Sequence, residues 1–507
     1  MLYVDLYPLV IFCCQNKHQR NSHMKKTIAL LLLSSIFGFR QPVSNPPQSS
    51  PNVILIFMDD LGYGDLSCYG ALDYHTPNLD RLAAEGMRFT NFLSAQAVCS
   101  ASRAGLLTGC YPNRIGISGA LFPNAKVGLS KAETTIAEML KQKGYRTGIF
   151  GKWHLGDSKE FLPFNHGFDE YLGIPYSNDM WPVGYDGKPA MSGSNKSKFP
   201  PLPLIRNDVA VDTIETLEDQ GLLTQRLTDE AIRFIKKNKS RKFFAYIPHP
   251  MPHVPIYASP AFKGKSKQGM FGDVIQEVDH HVGRIMQTLK EEGLEKNTIV
   301  IFTSDNGPWY NFGNHAGSNG GFREGKGTSF EGGQRVPCIM RWKGNIPAGV
   351  VSNQLSSTID ILPTLAKLTH ADLPKQKIDG VELTEVLKGN AKANPRETFY
   401  YYYRRNALEA VRKGNWKLVL EHPSRSYLNM RSGVDGFPGP SPENVIMYEA
   451  LYDLRRDPGE QHDVKGQNPQ ILMELRALAE EARKDLGDDL KNRKGANTRE
   501  PGKLSEK

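Results

Sequence analysis

Cysteine is scarce in this chain. Of six in 507 residues, Cys13 and Cys14 precede the apolar run Thr27–Phe37, and only Cys68, Cys99, Cys110 and Cys338 follow it, widely scattered. That excludes a disulfide framework. One pair among Cys68, Cys110 and Cys338 stays open, without an assignment. Long hydrophobic runs are missing too: Thr27–Phe37 is too short to span a bilayer, so no stable membrane insertion is expected. No basic stripe interleaved with stacking aromatics is present, which makes nucleic acid a poor partner. No internal repeat is found.

The short apolar run has a different use. Met24-Lys25-Lys26 supplies a basic start, Thr27–Phe37 an apolar middle and Gly38 a small residue for cleavage, the order of a secretory signal. Residues 1–38 are therefore read as a signal region, with Met24 as an alternative start that makes 1–23 an extension of the reading frame. No cysteine follows to carry a lipid, so the expected location is periplasmic or secreted. Without residues 1–38 the chain holds 59 basic and 53 acidic residues, a net +6 that suits anionic substrates. Its length predicts more than one domain, and 39% hydrophobic residues with a mean hydropathy of -0.44 describe a globular protein.

Residues 39–51 form a Pro/Ser-rich linker. Four apolar runs then read as buried parallel strands: Val53–Met58, Tyr145–Phe150, Phe243–Ile247 and Thr298–Thr303. Amphipathic helices are predicted from Pro77, capped by Thr76, to Gly86, after Thr134 or Thr135, and over about 222–238 and 274–291. This alternation predicts an α/β fold with a large, mostly parallel sheet flanked by helices over 52–389. From 390 the runs Thr398–Tyr403, Ala410–Arg412, Trp416–Leu420 and Leu451–Leu454 predict a smaller antiparallel sheet, with a helix near 469–485, in a subdomain ending at 487. Residues 488–507 are charged and are expected to be disordered.

Each of the four strands ends in polar residues, and ligands of open α/β sheets bind beyond strand ends. Asp59, Asp60, Lys152, His154, His249, Asp305 and Asn306 are thereby placed around one crevice. Asp59-Asp60 and Asp305-Asn306 together offer three carboxylates and an amide oxygen, a hard set for a divalent cation. Few-water sets of this kind suit calcium better than magnesium, though magnesium stays compatible. Lys152 and His154 alternate on one segment and share a face. The stretch Val98–Gly109 puts Cys99 at the start of a short helix, where backbone N–H groups favour an anion, and Arg103 one turn on. Taken alone, a buried cysteine beside a surface arginine is the better account of that stretch.

Cys99-Ser100-Ala101-Ser102-Arg103, followed by Leu107-Thr108-Gly109, resembles the signature of the formylglycine-dependent sulfatases, with Ala101 where many members have proline. Gly151-Lys152-Trp153-His154-Leu155-Gly156 is similar to a second signature of that family. Gly325-Lys326-Gly327 resembles a third segment, and Gly173–Asp179 resembles the arylsulfatase A-like branch. The resemblance covers roughly 51–465. It implies the alkaline-phosphatase-like fold and a formylglycine made from Cys99 by a maturation enzyme. It also implies one calcium held by Asp59, Asp60, Asp305, Asn306 and the modified Cys99.

On the same resemblance, the hydrated aldehyde attacks sulfur while Arg103, Lys152 and Lys326 stabilise the sulfuryl oxygens. His249 protonates the leaving alcohol, with His253 as the fallback, and His154 assists release of sulfate. Ser177 touches the sulfate, and Asn178, Asp179 and Trp181 are candidates for sugar recognition. An exported enzyme with Tyr176, Trp181 and Tyr185 near its site is expected to be an exo-acting carbohydrate O-sulfatase on galactose- or N-acetylgalactosamine-type sugars. Two rivals remain: a phosphodiesterase or phosphonate hydrolase of the same superfamily, and a non-catalytic binder of sulfated glycans in which Cys99 stays a thiol.

Overall fold

Val53 to Met58 form the middle of strand β1 (Asn52–Met58), every residue of which is buried. A strand buried on both faces must alternate between two apolar layers, and β1 does. Ile54, Ile56 and Met58 join one hydrophobic cluster, whereas Val53, Leu55 and Phe57 join another on the opposite face. The computed structural model describes residues 50–504. The signal region 1–38, with its alternative start at Met24, lies outside the described residues, as does all of the linker 39–51 except Ser50 and Pro51.

Nine further strands complete the sheet: β2 (Met87–Phe89), β3 (Arg146–Phe150), β4 (Glu170–Gly173), β5 (Leu202–Arg206), β6 (Val209–Ile214), β7 (Phe243–Pro248), β8 (Thr298–Ser304), β9 (Cys338–Arg341) and β10 (Val350–Ser352). Their order is β10-β2-β9-β8-β1-β7-β3-β4-β5-β6. The four strands legible as apolar runs are neighbours at the centre, all parallel, so their C-terminal ends open on one side. Antiparallel strands flank this parallel core at both ends, which makes the whole sheet mixed.

Helices α1 (Pro77–Ala84), α4 (Leu217–Lys237) and α5 (Gly269–Glu291) contribute to the layer on the Ile54 face. Helices α2 (Cys99–Thr108) and α3 (Ile136–Lys141) contribute to the Val53 face, together with the helix Ile361–Thr369. Thr135 caps α3 in a reciprocal capping box with Glu138. Thr76, expected to cap α1, does not. Its hydroxyl accepts from the Ser67 N–H instead, and the Asp279 carboxylate of α5 takes up the free N–H groups of Asn78 and Leu79.

A four-stranded antiparallel sheet over Thr398–Tyr403, Ala407–Lys413, Trp416–Val419 and Ala450–Asp453 follows, with the helix Pro469–Leu486 against it. A third apolar cluster joins this sheet, through Phe399, Tyr401 and Leu408, to Leu93, Tyr111, Phe330 and Ile359 of the large domain. The tail differs from expectation. Residues 488–504 are held in place, because Arg499 pairs with Glu133 through Nε at 2.7 Å and Nη2 at 2.8 Å, and Gly502-Lys503 pair with Val127-Gly128. Charge, which argued for disorder, is here the means of attachment. Cys68, Cys99, Cys110 and Cys338 are all free thiols, so no pair forms among the described residues. No helix among the described residues is long and apolar enough to cross a membrane.

Candidate active site

α2 starts at Cys99 after an extended Val98 and no side chain caps it; the Ala101 N–H of its first turn donates to the Gly119 carbonyl at 3.2 Å. The helix ends at Gly109, whose φ of 69° is left-handed. Cys99 lies with Asp59, Asp60 and His253, one ligand atom from each, all within 4.8 Å of one another. Burial pushes the thiol up to about 12, against the pull of Lys152 and Lys326. As a plain thiol, residue 99 is thus a poor nucleophile at neutral pH.

Four segments bring charge to this point. β1 delivers Asp59 and Asp60, the latter at a left-handed φ of 61°. β8 delivers Asp305 and Asn306, whose Nδ2 donates to Asp60 Oδ1 at 2.7 Å. β3 runs into Lys152, whose Nζ lies 2.5 Å from Asp59 Oδ2 and donates to Ser177 Oγ at 2.9 Å. Lys326 places Nζ 2.7 Å from Asp60 Oδ1 and over the Trp309 ring. Burial alone would raise Asp59, but Lys152, His253, Arg103 and Lys326 hold it well below the usual carboxylate range. Burial and the neighbouring Asp59 charge raise Asp305.

Arg103 is fully buried. Nη2 donates to Asp305 Oδ2 at 2.8 Å and lies 3.4 Å from Asp59 Oδ2, and Nη1 donates to the Lys152 carbonyl at 3.1 Å. Its fork is committed to the carboxylates, and only Nε lacks a partner. Arg103 thus positions the acidic set, where the sequence suggested a direct grip on an oxyanion.

The residues fit a cation. Oδ1 of Asp59 and Oδ1 of Asn306 are buried without any partner, which is costly unless something else satisfies them. Three carboxylates facing Arg103, Lys152 and Lys326 carry no net charge. A divalent ion there leaves the site positive, as an anionic substrate requires.

Of the histidines, His154 and His253 face the site and His249 does not. His154 Nε2 meets the Leu121 carbonyl at 2.8 Å, and a carbonyl can only accept, so Nδ1 is the bare nitrogen. Burial, then Lys152 and Arg103, keep the ring neutral. His253 Nδ1 likewise donates to the Val254 carbonyl at 2.6 Å, which turns Nε2 toward Asp60, 3.6 Å away. His249, expected as the acid, is buried with neither ring nitrogen bonded. Burial alone lowers it to about 4. The chain turns after β7 so that the second histidine of the Pro-rich loop, four residues on, enters the site.

The sugar candidates divide similarly. Ser177 touches Lys152. Asn178 is buried and donates to the His253 carbonyl and to Gln220, holding the histidine loop. Asp179 lies against the site: burial would raise it, but His253, the Ser177 hydroxyl, Lys196 and Lys152 hold it below its ordinary value. Trp181, only 1% exposed, and Tyr176, whose hydroxyl donates to the Pro201 carbonyl, belong to the core and offer no free face to a sugar. Trp309, which sequence reasoning passed over, sits 5.6 Å from the His253 ring. Its position three residues after Asn306 was the available signal.

The sulfatase family model matches residues 51–371, and a model for the C-terminal region of aryl-sulfatases matches 394–502. The chain belongs to the sulfatase family. It is 38% identical to arylsulfatase A of Homo sapiens over 449 residues, 84% of this chain and 87% of that protein. It is 40% identical to N-acetylgalactosamine-6-sulfatase of Mus musculus over 458 residues, 85% of this chain and 84% of that one. Among solved structures, the PsFucS1 sulfatase from Pseudoalteromonas sp. superposes with a TM-score of 0.75 at 29% identity, covering 86% of this chain and 91% of that one. This sulfatase is accordingly a sulfuric ester hydrolase on the alkaline-phosphatase-like fold.

Proposed function

We propose that this sulfatase removes sulfate from galactose- or N-acetylgalactosamine-type sugars of sulfated glycans, acting at chain ends outside the cytoplasm. A formylglycine at residue 99 and a calcium ion serve as its reactive group and its cofactor. The observation that carries the reading is the meeting of Cys99 with Asp59, Asp60 and His253 beside three buried cations. Relatives named for N-acetylgalactosamine-6-sulfatase activity, and a neighbour solved with a neocarrahexaose at 29% identity and a TM-score of 0.70, support sulfated sugars as the substrate class.

The hydrate of a formylglycine supplies a nucleophilic oxygen, and calcium held by Asp59, Asp60, Asp305 and Asn306 supplies positive charge beside it. The remaining work belongs to the chain. Lys152 and Lys326 orient the sulfate and offset charge growing on its oxygens. Ser177 fixes Lys152 in that role. His253, whose Nδ1 already donates to the Val254 carbonyl, takes up a second proton at Nε2 beside Asp60 and donates it to the leaving oxygen. His154, neutral with a bare Nδ1, accepts a proton when the site resets. Arg103 keeps the Asp59 and Asp305 carboxylates aimed.

Mass spectrometry of the Phe89–Arg103 tryptic peptide, after co-expression with a formylglycine-generating enzyme, tests the nucleophile: loss of the thiol for an aldehyde is expected. An unmodified thiol would favour the non-catalytic binder. A panel of sulfated mono- and disaccharides beside an aryl sulfate and a phosphonate monoester tests the substrate. Sulfated sugars should be turned over with the highest kcat/KM. Preference for the phosphonate would favour the phosphorus-acting rival.

A further inference from the structure

His253 hands its proton to the departing alcohol, so the sugar that carries the sulfate must lie on the His253 side of the site. Trp309 lies 5.6 Å from the His253 ring, and the Asp179 carboxylate is within electrostatic reach of it. From Trp309 a continuous line of rings leads outward. Trp309 meets Phe312 edge-on at 4.8 Å, Phe312 meets Tyr185 at 5.9 Å, and Tyr185 meets Phe437 at 5.9 Å. The inner ring Phe312 is buried, whereas Tyr185 is 37% and Phe437 48% exposed. A second path reaches the same place: Lys196 donates to the Asp179 carbonyl at 2.9 Å and sits 4.7 Å over the Tyr185 ring. Burial and then the Asp179 charge push the Tyr185 phenol up.

The outer pair is built, not incidental. Phe437 rides on a tight turn of the C-terminal subdomain whose Gly433 and Gly439 N–H groups donate to the Asn311 carbonyl at 2.9 and 2.7 Å. Asn311 Nδ2 returns a bond to the Gly439 carbonyl at 2.8 Å. Asn311 follows closely on the site residue Asn306 in sequence, so the turn is fixed relative to the catalytic centre. Two segments far apart in sequence thus present half-exposed aromatic rings next to the departure side, where rigid rings offer large contact area at small entropic cost.

We propose that Tyr185 and Phe437 form a stacking subsite for the sugar ring linked to the sulfated one, so that the enzyme is built for sulfated oligosaccharides rather than single sugars. The inference rests on the carbohydrate reading of the site. Remote contacts of this kind raise turnover by orienting the reacting ester.

The test compares kcat/KM for a sulfated disaccharide with that for the matching sulfated monosaccharide. Wild type should favour the disaccharide, and Tyr185→Ala and Phe437→Ala should each lower the disaccharide-to-monosaccharide ratio by about tenfold. Tyr185→Phe, which keeps the ring, should restore the ratio. Because Phe437 projects from a surface turn, its variant reports even where Tyr185→Ala folds poorly. A wild-type ratio of one or less, or a ratio unchanged in both alanine variants, overturns the stacking subsite while leaving the carbohydrate reading intact. Absence of turnover on every sulfated sugar overturns that reading and this inference with it.

Discussion

Arg103 Nη2 donates to Asp305 Oδ2 at 2.8 Å with both side chains fully buried. The pair ties α2, which carries Cys99, to the end of β8. Asp305→Ala removes a proposed metal ligand and leaves Arg103 with Asp59 as its one carboxylate partner, at 3.4 Å. Calcium titration should show loss of binding, and activity should fall at least about 100-fold. Loss of one of the two buried carboxylate partners of Arg103 should also cost stability, by about 3 kcal/mol. Asp305→Asn, which keeps the shape, should retain the fold better and still lose the metal. Full activity in a chelated, metal-free preparation would remove the cation from the mechanism.

The two histidines of the 248–253 loop can be told apart by leaving group. His253→Ala should lower kcat by roughly 100- to 10,000-fold on a sulfated sugar, whose alkoxide needs a proton. The loss should be much smaller on a nitrophenyl sulfate, whose leaving group does not. His249→Ala should show no such dependence. Equal behaviour of the two variants would refute the assignment of the acid to His253.

His166 is buried against Trp153 with both ring nitrogens unbonded, and burial lowers it to about 4 from an ordinary 6.5. Between those values the unfolded chain binds a proton that the folded chain refuses. Stability is therefore intact above pH 6.5 and falls as pH drops toward 4. The contribution is about 2 kcal/mol at pH 5. In His166→Leu the drop in Tm between pH 7 and pH 5 should shrink; an unchanged drop would show that His166 does not titrate in this window.

Arg499 makes a forked pair with the buried Glu133, and its N–H donates to the Arg114 carbonyl at 2.6 Å. Arg499→Ala leaves Glu133 without that partner and should cost about 1–3 kcal/mol, seen as a lowered Tm. A variant as stable as wild type would show that the tail contributes nothing.

The centre of the sheet was legible because four apolar runs each end abruptly in charge, a pattern produced by parallel strands buried on both faces. The flanking strands were not. Met87–Phe89 and Val350–Ser352 are too short to show a period, and Val209–Ile214 is exposed over most of its length. Asp59, Asp60, Lys152, Asp305 and Asn306 were legible as neighbours because they follow strands directly, whereas Lys326 stands in a loop and was found only by resemblance. The histidine loop was not, since prolines at 248, 250, 252 and 255 erase any periodicity that would say which residue faces inward. Trp181 and Tyr185 look alike in sequence, but whether a ring is buried is decided by what packs on it from elsewhere. The tail misled for a related reason: a charged segment reads as solvated until its partner, Glu133, is brought beside it by the fold.

The Lys326 segment has a bearing on how the enzyme comes into being. Tyr427 donates its hydroxyl to the Lys326 carbonyl at 2.6 Å, and the Glu324 carboxylate accepts from Ser426 Oγ and the Tyr427 N–H. All three anchors are made a hundred residues after the lysine they steady. During synthesis the large sheet can assemble around Asp59, Lys152 and Asp305 while this arm of the site is still unsupported. The Lys326 arm of the site is thus complete only once the segment around Ser426 and Tyr427 has docked.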